Sequence, residues 1–141
     1  MTRIDYYLNA PNKSLVARKL AVKAFHAGKY TLMFTRDVDQ IRELDASFWT
    51  SPILSFIPHV QCGHALANKS PVLIGADPVV LARPDVLINL APEIPDCFAR
   101  FDRMLEIVSE DEADKAEARK RFRYYKERGY AIDVHDLKAL Q

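Results

Sequence analysis

The order of apolar and polar positions divides the chain into alternating strands and helices. Residues 3–9, RIDYYLN, are rich in β-formers and run into the breaker cluster Asn9-Ala10-Pro11-Asn12, as a buried strand entering a loop does. In KSLVARKLAVKAFHAG the residues Leu15, Val16, Leu20, Val22 and Phe25 recur near helical spacing, and Gly28 supplies a stop. KYTLMFT predicts a second strand. RDVDQIRELDASFW predicts a second helix, with Asp37 as N-cap and Val38, Ile41 and Leu44 as its apolar face. The stretch from Thr50 to Ser70 holds two prolines, a glycine and no sustained period, which predicts a connecting loop carrying the apolar residues Ile53, Phe56 and Ile57. PVLIG and DVLINLAP, each fenced by proline, predict two short buried strands.

From Asp96 to Arg128 composition alone would allow one very long helix. Ser109 and Glu112 match an S-x-x-E capping box, and Glu110, Asp111 and Asp114 cluster where a helix N-terminus favours negative charge. A helix starting near Ser109 and ending near Arg128, with Gly129 as its stop, leaves RMLEIV as a fifth strand. This alternation is that of an α/β protein with a largely parallel central sheet.

At 141 residues and 49% hydrophobic content, the chain is expected to form a single domain, residues 1–141, with a core that needs neither disulfide nor metal. No apolar run approaches the ~18–20 residues of a membrane span. With only Cys62 and Cys97 and no signal-type start, the reading is a soluble cytoplasmic protein that does not engage membranes.

Charge changes the picture at one place. ARKRFRYYKERGY, residues 118–130, carries six Arg and Lys against one Glu, a local +5 in a chain whose net charge is +1, so the remainder is −4. A protein that coats DNA is usually basic over a far larger surface. At 100° per residue Lys115, Arg119, Arg123 and Lys126 fall within about 80° of one another, beside a face formed by Ala118, Phe122 and Tyr125. Pairs such as Asp111 with Lys115 and Glu117 with Arg121 contribute only ~0.2–0.5 kcal/mol each and do not account for the excess. The apolar face is committed to the core, which leaves no lipid-binding side. An acidic peptide or a nucleic acid remains as the ligand class.

Other chemistry finds little support. The loop after the first strand lacks the glycines that let backbone approach phosphate, so no nucleotide site and no cofactor are expected. His59, Cys62 and His64 lie close together with Cys97 distant, but their spacing matches no common zinc pattern and no activating third group accompanies a Cys–His pair; they read as ordinary loop residues. No metal site and no catalytic residue are assigned. Trp49 and Phe56 read equally as core residues or as anchors for a partner.

In order along nearly the whole chain, the stretches DYYLN, LDASFWTSPILSFIPH, PVLIG, DVLINL, CFARFDRMLEIV and ARKRFRYYKERGY resemble the chi subunit of bacterial DNA polymerase III. W-x-x-P followed by S-F-x-P-H, V-L-I-N-L and A-R-x-R-F-x-x-Y-x-x-x-G-Y carry the likeness. It implies a three-layer α/β/α, Rossmann-like fold without a nucleotide-binding loop, and an accessory adaptor in DNA replication, not an enzyme. The partners implied are the psi subunit, through it the clamp loader, and the acidic C-terminal tail of single-stranded-DNA-binding protein, so that DNA is met only indirectly. Arg119 would be the main carboxylate partner, Lys115 and Arg123 neighbouring cations, and Val108 and Phe122 apolar walls. Trp49 and Phe56 would form the face for psi or an alternative helicase partner. Cys62 and His64 of QCGH lie outside the family pattern. The alternative is direct binding of single-stranded nucleic acid by the same helix, with tyrosines stacking on bases.

Overall fold

The computed structural model describes residues 1–50, 57–64, 69–78 and 81–138. Phe56 lies outside them. The elements in chain order are β1 (Arg3–Ala10), α1 (Lys13–His26), β2 (Thr31–Phe34), α2 (Val38–Thr50), β3 (His59–Gln61), β4 (Val72–Gly75), β5 (Val86–Asn89), a 3-10 turn (Phe98–Arg100), β6 (Arg103–Ser109), α3 (Glu112–Glu127) and β7 (Ile132–Asp136). The strands form one sheet in the order β3-β4-β2-β5-β6-β1-β7, and every pair is parallel.

Strand alternation sends side chains to two apolar layers. One holds Ile4 and Tyr6 of β1, Leu32 and Phe34 of β2, Met104 and Val108 of β6, and Ala118 and Tyr125 of α3. The other holds Met33, Leu105 and Ile107 with Ala17 and Ala21 of α1 and Leu44 and Phe48 of α2. The result is the expected three-layer α/β arrangement, with α1 and α2 on one face and α3 on the other. The central strands β2, β4 and β5 are buried throughout, as parallel strands covered on both faces must be.

Several local expectations shift. The stretch read as a loop contains β3, and β7 follows Gly129 at the other edge of the sheet. The three-residue β3 leaves too little periodic signal to register, whereas the alternation of IDVHD in β7 is present but brief. In α1 the fully buried positions are Ala17 and Ala21, while the bulkier Val16, Leu20 and Phe25 pack beside them, because small residues let the helix approach the sheet. Asp37 caps α2 as expected, accepting from the backbone N–H of Asp39 and Gln40. Val38, expected in the core, is 58% exposed; it sits about 120° around the helix from buried Leu44.

The cap of α3 is also displaced. Asp111, not Ser109, accepts from the helix N–H of Asp114 (3.3 Å), and Asp114 reaches back to the backbone N–H of Ser109 (2.8 Å). Two aspartates thus fill the roles assigned to Ser109 and Glu112. Lys13 of α1 donates to Asp114 (3.2 Å). Burial opposes ionisation of Asp114, but the Ser109 hydrogen bond and the Lys13 charge outweigh it and hold its pKa below the ordinary carboxylate range. A depressed folded pKa stabilises the fold above the unfolded value of about 3.9, and that contribution fades as pH falls through the folded pKa. Asp114→Asn should therefore lower the urea midpoint at neutral pH and converge on the parent in acid. A gap of constant size across pH would contradict this.

Candidate functional site

Parallel crossovers leave β1 and β6, which are neighbours, toward opposite faces: β1 leads into α1 and β6 into α3. The carboxyl ends of two such strands open a crevice where α/β proteins place their ligands. A cleft of about 320 Å³ lies here, lined by Tyr6, Leu8 and Asn9 of β1, Val108 of β6, Lys115, Ala118, Arg119 and Phe122 of α3, and Val134 of β7. Asn9 shapes its rim. The residue sits at φ 61 where the β1–β6 register shifts between Tyr7 and Ala10, and its side chain donates to Asp136 (2.9 Å).

Four of the residues expected to act together, Val108, Lys115, Arg119 and Phe122, surround this one cleft. Arg123 lies one turn on, beside a shallower neighbour that shares Arg119 and Phe122 with the first. Phe122 is fixed edge-on to Tyr6, with ring centroids 5.3 Å apart, and Lys126 lies over its ring at 5.8 Å. Lys115 stands 3.7 Å from the exposed carboxylate of Glu112. Among the described residues no carboxylate lies within 4 Å of Arg119 or Arg123. The cleft therefore has apolar walls and a cationic rim on which, among the described residues, Arg119 and Arg123 have no carboxylate within 4 Å.

Sequence reading missed what holds this rim in place. Arg121 is not on the surface with Glu117; it is 4% exposed and donates to Glu106 of β6 (3.1 Å) and to the Pro92 carbonyl (2.7 Å). Glu106 is fully buried and also accepts from the Tyr125 hydroxyl (2.7 Å) and the Asn89 amide (3.0 Å). Burial raises the Tyr125 pKa, and the Glu106 charge adds to it, so the phenol stays a donor. Glu117 pairs with Lys120 instead, and Lys115 with Glu112 in place of Asp111. A charge in the middle of RMLEIV was the available signal, since a buried carboxylate demands a partner. One of the six cations is thereby withdrawn from the surface.

Toward the opposite edge of the sheet and on its other face, Trp49 of α2 is 60% exposed. Its ring leans on His59, with centroids 4.7 Å apart. His59 donates through Nδ1 to the Ile57 carbonyl (2.6 Å), packs on Phe48, and brings Nε2 to 3.9 Å from Asp45. Cys62 instead packs against Gly75, where an added Cβ would lie 2.8 Å from Sγ and where the φ of +146° also disfavours any other residue. Burial raises the thiol pKa of both Cys62 and Cys97. Among the described residues no three His, Cys, Asp or Glu side chains converge to hold a metal, and no helix is long and apolar enough to cross a membrane.

The family model for the DNA polymerase III chi subunit, HolC, matches residues 1–133. The chain belongs to that family. Its chi relatives include the DNA polymerase III subunit chi of Pseudomonas aeruginosa, 36% identical over 144 residues covering 97% of this chain and 98% of the relative. The subunit chi of Haemophilus influenzae is 29% identical, covering 94% and 96%. That of Escherichia coli is 28% identical, covering 82% and 80%. Chi-family membership covers the strands and helices from β1 through Asp133 of β7.

Proposed function

We propose that this chi-family chain is a non-catalytic accessory adaptor of the DNA polymerase III clamp-loader assembly. Its α3 cleft receives the acidic C-terminal tail of single-stranded-DNA-binding protein, and its Trp49 face receives the psi subunit or a helicase in psi's place. The observation that carries the reading is the convergence of Arg119, Lys115, Val108 and Phe122 on one cleft at the strand ends. A peptide end offers two chemistries there. The planar guanidinium of Arg119 suits a terminal carboxylate, while Val108, Leu8, Val134 and Phe122 suit an apolar last side chain. Lys115 and Arg123 then attract acidic residues upstream. Base stacking gains less support, because Tyr125 is buried and Tyr124 is covered by the Arg128 guanidinium at 3.5 Å.

The test is a fluorescence titration with two acidic peptides ending in the same apolar residue, one with a free carboxylate and one amidated. Amidation is expected to weaken binding at least about tenfold, as loss of a charge-assisted hydrogen bond does. Equal affinity for the two would remove the carboxylate-capture reading. Tighter binding of a labelled oligonucleotide than of either peptide would favour the nucleic-acid alternative.

A further inference from the structure

Val38 and Trp49 are two large apolar residues left exposed on α2, at 58% and 60%. They share one flank. At 100° per residue Val38, Arg42, Asp45 and Trp49 fall within about 60° of one another, away from the side that buries Leu44 and Phe48. Their spacing of four, three and four residues is that of successive d and a positions in a coiled-coil seam, with apolar residues at the ends and opposite charges between.

The order of those four residues is self-complementary. If two copies of α2 lie antiparallel about a two-fold axis passing between positions 43 and 44, Val38 meets the partner's Trp49 and Arg42 meets the partner's Asp45. Both contacts then occur twice, as an isologous interface requires. A parallel alignment would instead set Arg42 against the partner's Arg42 and Asp45 against the partner's Asp45. Polar seam residues are known to fix helix orientation in this way.

We propose that the α2 flank docks a second copy of this chain, antiparallel, in a weak two-fold dimer. Trp49 is already ordered by its contact with His59, so little side-chain freedom is lost on pairing. One flank of a thirteen-residue helix is smaller than the roughly 800 Å² per partner of a stable interface, so association is transient. Pairing hides Trp49, the residue given above to psi or a helicase. Dimer and partner complex therefore exclude each other, and release of the second copy becomes a step in partner binding.

The test uses the chain alone, so its failure is separate from any failure of the peptide or psi reading. In sedimentation equilibrium from about 10 μM to 1 mM, the mass should rise from 16.1 kDa toward twice that value. Arg42→Asp and Asp45→Arg should each remain monomeric, since each places like charges opposite one another twice. Mixing the two variants in equal amounts should restore association, because both cross-pairs are then attractive. Arg42 is exposed, so Arg42→Asp is safe for folding and decides the matter even if Asp45→Arg is perturbed. A parent that stays at 16.1 kDa throughout would overturn the proposal, as would an Arg42→Asp variant that associates like the parent.

Discussion

Replacing Arg121 with methionine is expected to cost about 3–5 kcal/mol of folding stability, read as a fall in the urea midpoint at unchanged slope. The size follows from what stays behind. Methionine fills much of the volume of the arginine stem, so packing against β6 is largely kept. The Glu106 carboxylate, fully buried, loses its one cationic partner among the described residues and keeps the Tyr125 hydroxyl and the Asn89 amide. The Pro92 carbonyl also loses its donor from Arg121. Removing both charges is a different experiment. Glu106→Leu with Arg121→Met leaves no buried ion and should recover most of the loss, because a buried pair contributes little over an apolar pair of similar volume. If Arg121→Met alone cost under about 1 kcal/mol, Glu106 would have to be neutral or hydrated in the folded chain, and the network would not be the anchor of α3.

That network marks where local reading of the sequence stops. The α3 stripe was legible because Lys115, Arg119 and Arg123 differ from their neighbours at helical period, and the sheet was legible because TLMF, VLIG and VLIN are short apolar runs between breakers. Arg121 was not, since nothing in its own helix distinguishes it from the other five cations. Its burial is decided by Glu106, fifteen residues earlier in another element. The cap of α3 moved for a similar reason: Asp114 is tied to Lys13, far away in sequence, and Ser109 yields the capping role to Asp111. Val134 enters the cleft only through the β1–β7 pairing, and β7 is a five-residue edge strand, IDVHD, whose brief alternation is easily passed over after the Gly129 stop. Periodicity thus located the cations and Phe122 beside them, and the family resemblance supplied Val108, whereas Val134 came from long-range strand pairing.

Arg119→Ala is expected to weaken binding of a free-carboxylate acidic peptide by roughly 10- to 150-fold, about 1.5–3 kcal/mol. Arg119 is the member of the stripe that both reaches the cleft and, among the described residues, has no carboxylate within 4 Å. Lys115 lies beside Glu112, and Arg123 lies outside the main cleft, so alanine at either should cost less and act chiefly through salt-dependent attraction. A double-mutant cycle separates the contact from general charge. If Arg119 grips the terminal carboxylate, Arg119→Ala and peptide amidation remove the same interaction, and together they should cost little more than either alone. Additive losses would mean that Arg119 acts on the acidic residues upstream and that another group holds the peptide end. An unchanged affinity for Arg119→Ala, with the fold confirmed by circular dichroism, would remove the cleft from the peptide-binding reading altogether.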